Sequence, residues 1–323
     1  VENKKQTTLT WSLLFAIILA FCFLHLNNFN NPTTISIGIL TILGMFFLSK
    51  ELFENPIIAL ITAGITTFSY WAISLPSLGM QTKLLPLILV WSSYFLLKGI
   101  VTKKYSHFIF AGLLYGSGLY TYNIQNQPPL FLIIFIALLI IIKQQFLKNY
   151  WRHIMIFIVS LFIVAIPVIF DFSILKNTQI FGRNSIGFAS YRYVTSNPLI
   201  LLTFLLGWAY ISIQFIRIFL KRYNGLEINS KMISYALLFI WLFFSLIENK
   251  TTGFAADIMP AAIIIATIPF AWVFKHMHGY SRSYKFMLTI FLVFSFVFIG
   301  IFDCAKYFIF SPKAQIDSQG LSK

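Results

Sequence analysis

The chain has 323 residues, of which 59% are hydrophobic and 10% charged, and its mean hydropathy is +0.83. No water-soluble fold hides that much apolar surface, so composition excludes a soluble globular protein and points to an all-α, polytopic transmembrane bundle, one integral membrane domain over residues 1–323. The formal net charge of +15 does not indicate nucleic acid, because the 24 lysines and arginines are scattered between apolar runs, where loop topology and anionic membrane lipids account for them.

Apolar runs long enough to cross hydrocarbon occur near 9–26, 36–49, 55–75, 84–99, 107–122, 128–142, 153–172, 199–220, 232–247, 255–274 and 286–308. They predict about eleven spans. With the N-terminus cytoplasmic, Lys83, Lys176, Arg183, Arg192, Lys250, Lys306, Lys313 and Lys323 face outward and the other sixteen of the 24 lysines and arginines face inward. That bias predicts a multi-pass protein of the plasma (inner) membrane in this orientation. The first run follows Lys4 and Lys5 but continues into LHLNNFNN without a small-x-small cleavage site, which favours an uncleaved span. Val1 is an unusual first residue, as a non-standard start codon or a missing beginning would give.

The most informative stretch is Trp71 to Leu130. Pro76, Gly79, Gly116, Gly118, Pro128 and Pro129 punctuate two spans there, and backbone leaves regular helix inside a membrane only where protein or a water-filled cavity satisfies it. The alternatives are a lined cavity and ordinary helix ends. Further on, the outer segment Asp171–Asn197 is much longer than the earlier outer loops and combines Asp171 with Lys176, Arg183, Arg192, Tyr191 and Tyr193. An arginine in such a loop grips phosphate through two parallel hydrogen bonds. A solvated basic loop with interfacial tyrosines is the competing reading. Asp257, just inside the run near 255–274, is a site candidate because ionisable groups at that depth are costly unless paired; a structural pairing with Lys250 or an outer arginine would equally explain it.

Other chemistry finds little support in the residues. His276 and His278 have no cysteine or carboxylate at metal-ligand spacing, His25, His107 and His153 are isolated, and no metal site or cofactor is expected, although a divalent ion is compatible with the carboxylates. Cys22 and Cys304 both lie in apolar runs, so buried free thiols are expected. Phosphate-cradling glycine loops, nucleophile elbows and internal short repeats are absent.

Trp71–Pro86, WAISLPSLGMQTKLLP, resembles a segment of bacterial GT-C membrane glycosyltransferases, the mannosyltransferase and aminoarabinose-transferase-like families, at Trp71, Gly79, Leu84 and Pro86. The segments AGLLYGSGLYTYNIQNQPPL, IPVIFDFSILKNTQIFGRNSIGF and GFAADIMPAAIIIA are similar to family stretches in the same order, so the resemblance covers about residues 36–275. It implies transfer of a sugar from a polyprenyl-phosphate carrier to an acceptor on the outer face, with a carboxylate of the first outer loop as base or metal ligand and arginines on the lipid phosphate. This chain departs from that pattern: LNNFNNPTT has no Asp or Glu, and Ser77, Gln81, Asn126 and Phe254 stand where arginines are expected. Arg183 in IFGRN matches. The expected replacements are Asp171 or Asp257 as base, Arg183, Arg192, Lys83 and Lys250 at the phosphate, and Tyr122 and Asn126 along the substrate. A non-catalytic protein of this fold that binds a lipid-linked sugar or a partner protein is one alternative, and a transporter or polymer ligase is another.

Overall fold

The computed structural model describes residues 2–24, 32–74, 80–120, 131–142, 146–170, 197–223, 230–248, 258–276 and 282–305. Among these residues the only regular elements are helices: α1 (Glu2–Leu24), α2 (Pro32–Phe53), α3 (Pro56–Phe68), α4 (Tyr70–Ser74), α5 (Met80–Thr102), α6 (Tyr105–Gly118), α7 (Phe131–Ile142), α8 (Phe146–Phe170), α9 (Pro198–Tyr223), α10 (Ser230–Glu248), α11 (Ile258–His276) and α12 (Arg282–Ala305). Five are long and apolar enough to cross a membrane, in α1, α2, α5, α8 and α9, and shorter apolar helices accompany them. The chain is thus a helical membrane-type bundle. Several buried hydroxyls donate within their own helices, as in Thr41 to Ile37 O at 2.8 Å and Thr66 to Thr62 O at 2.7 Å, an arrangement suited to an environment without water.

Helix directions follow from named contacts. Glu54 adopts a left-handed φ of 54° and closes α2 through its N–H to Lys50 O, while Asn55 Oδ1 accepts from Ile57 N at 2.9 Å and Pro56 opens α3. The chain therefore reverses between α2 and α3. Against α2, α5 lies parallel: Lys83 meets Thr34, and Trp91 Nε1 donates to Leu40 O at 3.0 Å beside Gly44. A second reversal at Lys103, φ 55°, sets α6 antiparallel to α5, with Gly99 against Phe108 at one end and Gly118 against Ile88 at the other. Tyr105 on His153 and Tyr120 Oη to Val164 O at 2.8 Å make α6 and α8 parallel.

The run at 55–75, expected as one span, is broken at Ser69. Its ψ of 142° leaves the helical region, its hydroxyl donates to Thr66 O at 2.8 Å, and the same oxygen accepts from Ala72 N at 3.3 Å. One serine thus ends α3 and caps α4, so the interruption costs few backbone hydrogen bonds.

The α6–α8 contact depends on glycine. A Cβ on Gly112 would collide with Ser160 Oγ and Phe157 O, and one on Gly116 would sit 2.7 Å from Leu161 O. This Gly-x-x-x-Gly spacing brings two backbones into direct contact. Gly116 is therefore spent on helix packing rather than on a break beside a cavity. In α11, residues 258–268 are buried throughout, as a helix apolar on every side requires, and Gly207 of α9 packs on Ile265 O. Phe131 stacks on Trp241 at 4.7 Å and Trp208 on Phe239 at 5.3 Å, tying α7, α9 and α10 together. Outward, α12 exposes Phe286, Met287, Phe291 and Phe294, a lipid-facing surface.

Candidate functional site

The helix directions collect the first turns of α2, α5 and α9 and the last turns of α3, α6, α8 and α12 at one end of the bundle, here the Lys83 end. At the opposite, Lys104 end lie the two tight turns at Glu54 and Lys103. Lys50, Lys98, Lys103, Lys104, Lys148 and Arg152 belong to the latter. Lys83 is the exception on α2, α5, α6 and α8, and it is 5% exposed.

Lys83 is the sequence-derived candidate whose surroundings are described. It sits in the first turns of α5, and its Nζ donates to Thr34 Oγ1 at 3.1 Å across the parallel α2–α5 interface. Thr34 is itself buried in the first turn of α2. That hydroxyl takes one of the three ammonium donors and so orients the group. Pro86, three residues on, contributes no N–H, so the Thr82 carbonyl receives no helical bond at the turn that carries Lys83.

Asp171, Arg183, Arg192, Tyr122, Asn126, Lys250 and Asp257 lie outside the described residues. Their neighbours in the chain are placed. Tyr120, anchored on Val164, precedes Tyr122; Phe170 ends α8 just before Asp171; Ile258 opens α11 just after Asp257.

A buried carboxylate that sequence reasoning missed stands at the same end. Asp303, 1% exposed, accepts from Asn197 Nδ2 at 3.1 Å, while Asn197 Oδ1 caps α9 by accepting from Leu199 N at 3.1 Å and Ile200 N at 3.5 Å. Gly300, one turn before, lies against Phe68 at the end of α3. The signal was present in the sequence: an ionisable group inside the apolar run GIFDCAKYF is expensive unless satisfied. Asn197 closes the long segment that begins at Asp171, so this pair fixes where that segment returns to the bundle. Among the described residues, no group of three or more His, Cys, Asp or Glu side chains is arranged to hold a metal ion.

The architecture and this end of it define a helical membrane protein with a buried cation and a buried carboxylate near one face. No protein-family model matches the chain, and no curated protein matches it.

Proposed function

We propose that the chain is a multi-pass protein of the inner (plasma) membrane, N-terminus cytoplasmic, that receives a polyprenyl-phosphate sugar at its Lys83 end and transfers the sugar to an acceptor on the outer face. The observation that carries this reading is Lys83, a cation lodged among helix ends where a lipid carrier presents its phosphate. An ionisable side chain buried in a membrane bundle is costly, so one that persists is retained for function or for pairing. The gathering of the other described cations at the opposite end supports the orientation.

In this reading the acceptor hydroxyl oxygen bonds to the anomeric carbon as the bond from that carbon to the phosphate oxygen breaks. The electron pair leaves on the lipid phosphate and the hydroxyl proton passes to a carboxylate. Asp171 and Asp257 are the candidate bases, and Lys83, Arg183, Arg192 and Lys250 the candidate partners of the departing phosphate, where negative charge develops. Tyr122 and Asn126 are candidate contacts to the sugar.

A second reading, binding of the lipid-linked sugar without transfer, is favoured by Ser77, Gln81, Asn126 and Phe254 standing where the resembling enzymes carry arginine, and by the lack of a carboxylate in LNNFNNPTT. Membranes containing the chain, supplied with labelled polyprenyl-phosphate sugar, separate the two. Transfer that is lost in Asp171→Asn and Arg183→Ala supports the first reading. Retention of label without product under any acceptor supports the second, and full transfer by both variants overturns the assigned site.

A further inference from the structure

At the Lys104 end, the turn between α5 and α6 is clamped to α8. Tyr150 Oη donates to Ile100 O at 2.7 Å, and His153 Nε2 lies 3.0 Å from Lys103 O. A carbonyl only accepts, so Nε2 carries a proton and donates it to Lys103 O; Nδ1 is buried and has no hydrogen-bond partner among the described residues. The ring stacks on Tyr105 at 4.3 Å and 18° and is flanked by Phe108 and Tyr150. Lys103 holds its left-handed conformation through its own N–H to Gly99 O at 2.8 Å. This much fixed geometry in a two-residue turn serves to hold what the turn displays.

It displays charge. Lys103 and Lys104 are exposed, and so are Lys148 and Arg152, one helical turn apart on α8 with Arg152 next to His153. The His153–Lys103 contact therefore brings all four cations onto one surface. No aspartate or glutamate occurs between Glu54 and Asp171, so α5, α6 and α8 supply no counter-charge. Below the cations, Trp151, Met155, Val159 and Phe162 form an exposed apolar stripe down α8, and the Arg152 guanidinium lies 5.4 Å from the centre of the Trp151 ring.

We propose that this surface is a binding site for an anionic phospholipid. The phosphodiester sits among Lys103, Lys104, Lys148 and Arg152, and an acyl chain runs along the α8 stripe. A soluble phosphate would use the cations and leave the stripe idle; an amphiphile uses both. Clusters of cations at a membrane-facing helix end attract anionic lipid by charge, and the tethered turn adds a fixed geometry to that attraction. The site lies at the opposite end from Lys83 and does not rest on the transfer reading.

The test uses the purified full chain in phosphatidylcholine nanodiscs and reads retention of a fluorescent phosphatidylglycerol. The pairs Lys103→Gln with Lys104→Gln and Lys148→Gln with Arg152→Gln are compared with Arg217→Gln and Lys221→Gln on α9. Affinity is expected to fall about fivefold for each patch cation removed, and to stay near wild type in the α9 pair. His153→Phe keeps an aromatic ring in the stack and releases the turn, so it is expected to weaken retention as well. Free glycerol phosphate is expected not to displace the lipid. Equal losses in the α9 pair, unchanged retention in both patch pairs, or displacement by glycerol phosphate at equal concentration would each overturn the proposal.

Discussion

Asn197 joins two distant parts of the chain with one side chain: its Oδ1 accepts from the backbone of Leu199 at the start of α9, and its Nδ2 donates to Asp303 Oδ1, 3.1 Å away near the end of α12. The cap and the bridge are separable. Asn197→Ser keeps a capping oxygen and loses the donor to Asp303, whereas Asn197→Ala loses both. Serine is expected to cost about 1 kcal/mol and alanine about 2 kcal/mol, measured by thermal or chemical unfolding of the solubilised protein. Equal stability of wild type and both variants would show that the buried carboxylate is satisfied elsewhere.

The α6–α8 contact makes a sharper demand. Alanine at Gly112 has to displace Ser160 and the Phe157 carbonyl, so Gly112→Ala is expected to destabilise the chain by about 1–3 kcal/mol. At Gly118 the added methyl meets Ile88 at 3.4 Å, and at Gly300 it meets Phe68 at 3.6 Å, both ordinary contacts. Gly118→Ala and Gly300→Ala are therefore expected to melt close to wild type. A melting order in which Gly112→Ala is the mildest of the three would contradict the packing described.

Orientation is testable with one exposed position. Ser106 lies exposed in the first turn of α6 at the Lys104 end. In a background with Cys22→Ser and Cys304→Ser, Ser106→Cys is expected to resist a membrane-impermeant maleimide in intact cells and to react after permeabilisation. Strong labelling of intact cells would invert the topology.

The sequence carried the helical class well and the site poorly, for physical reasons. Apolar runs are unmistakable, and among the described residues helices lie on each of them, five of these long and apolar enough to cross a membrane, while the run at 55–75 is broken at Ser69. The break at Ser69 was not legible because serine is tolerated in helices; what decides is the second hydrogen bond, from Ala72, that its hydroxyl accepts. Gly116 was read for backbone freedom although its spacing from Gly112 also fits helix contact, and periodicity alone does not say which neighbour approaches. Asp303 was legible in principle, as an acid in an apolar run, but its partner Asn197 is far away in the chain. Lys83 was counted as a loop charge at a span end, and the structure places it inside the bundle against Thr34.

The central claim is that the Lys83 end receives a lipid phosphate, and binding measures it directly. Affinity of the purified protein for a short-chain polyprenyl phosphate should exceed that for the phosphate-free polyprenol. Lys83→Met should weaken phosphate binding by about tenfold or more, Lys83→Arg should retain most of it, and neither should alter polyprenol binding. Equal affinity for the two lipids, or wild-type phosphate binding by Lys83→Met in a protein that melts normally, would contradict the account.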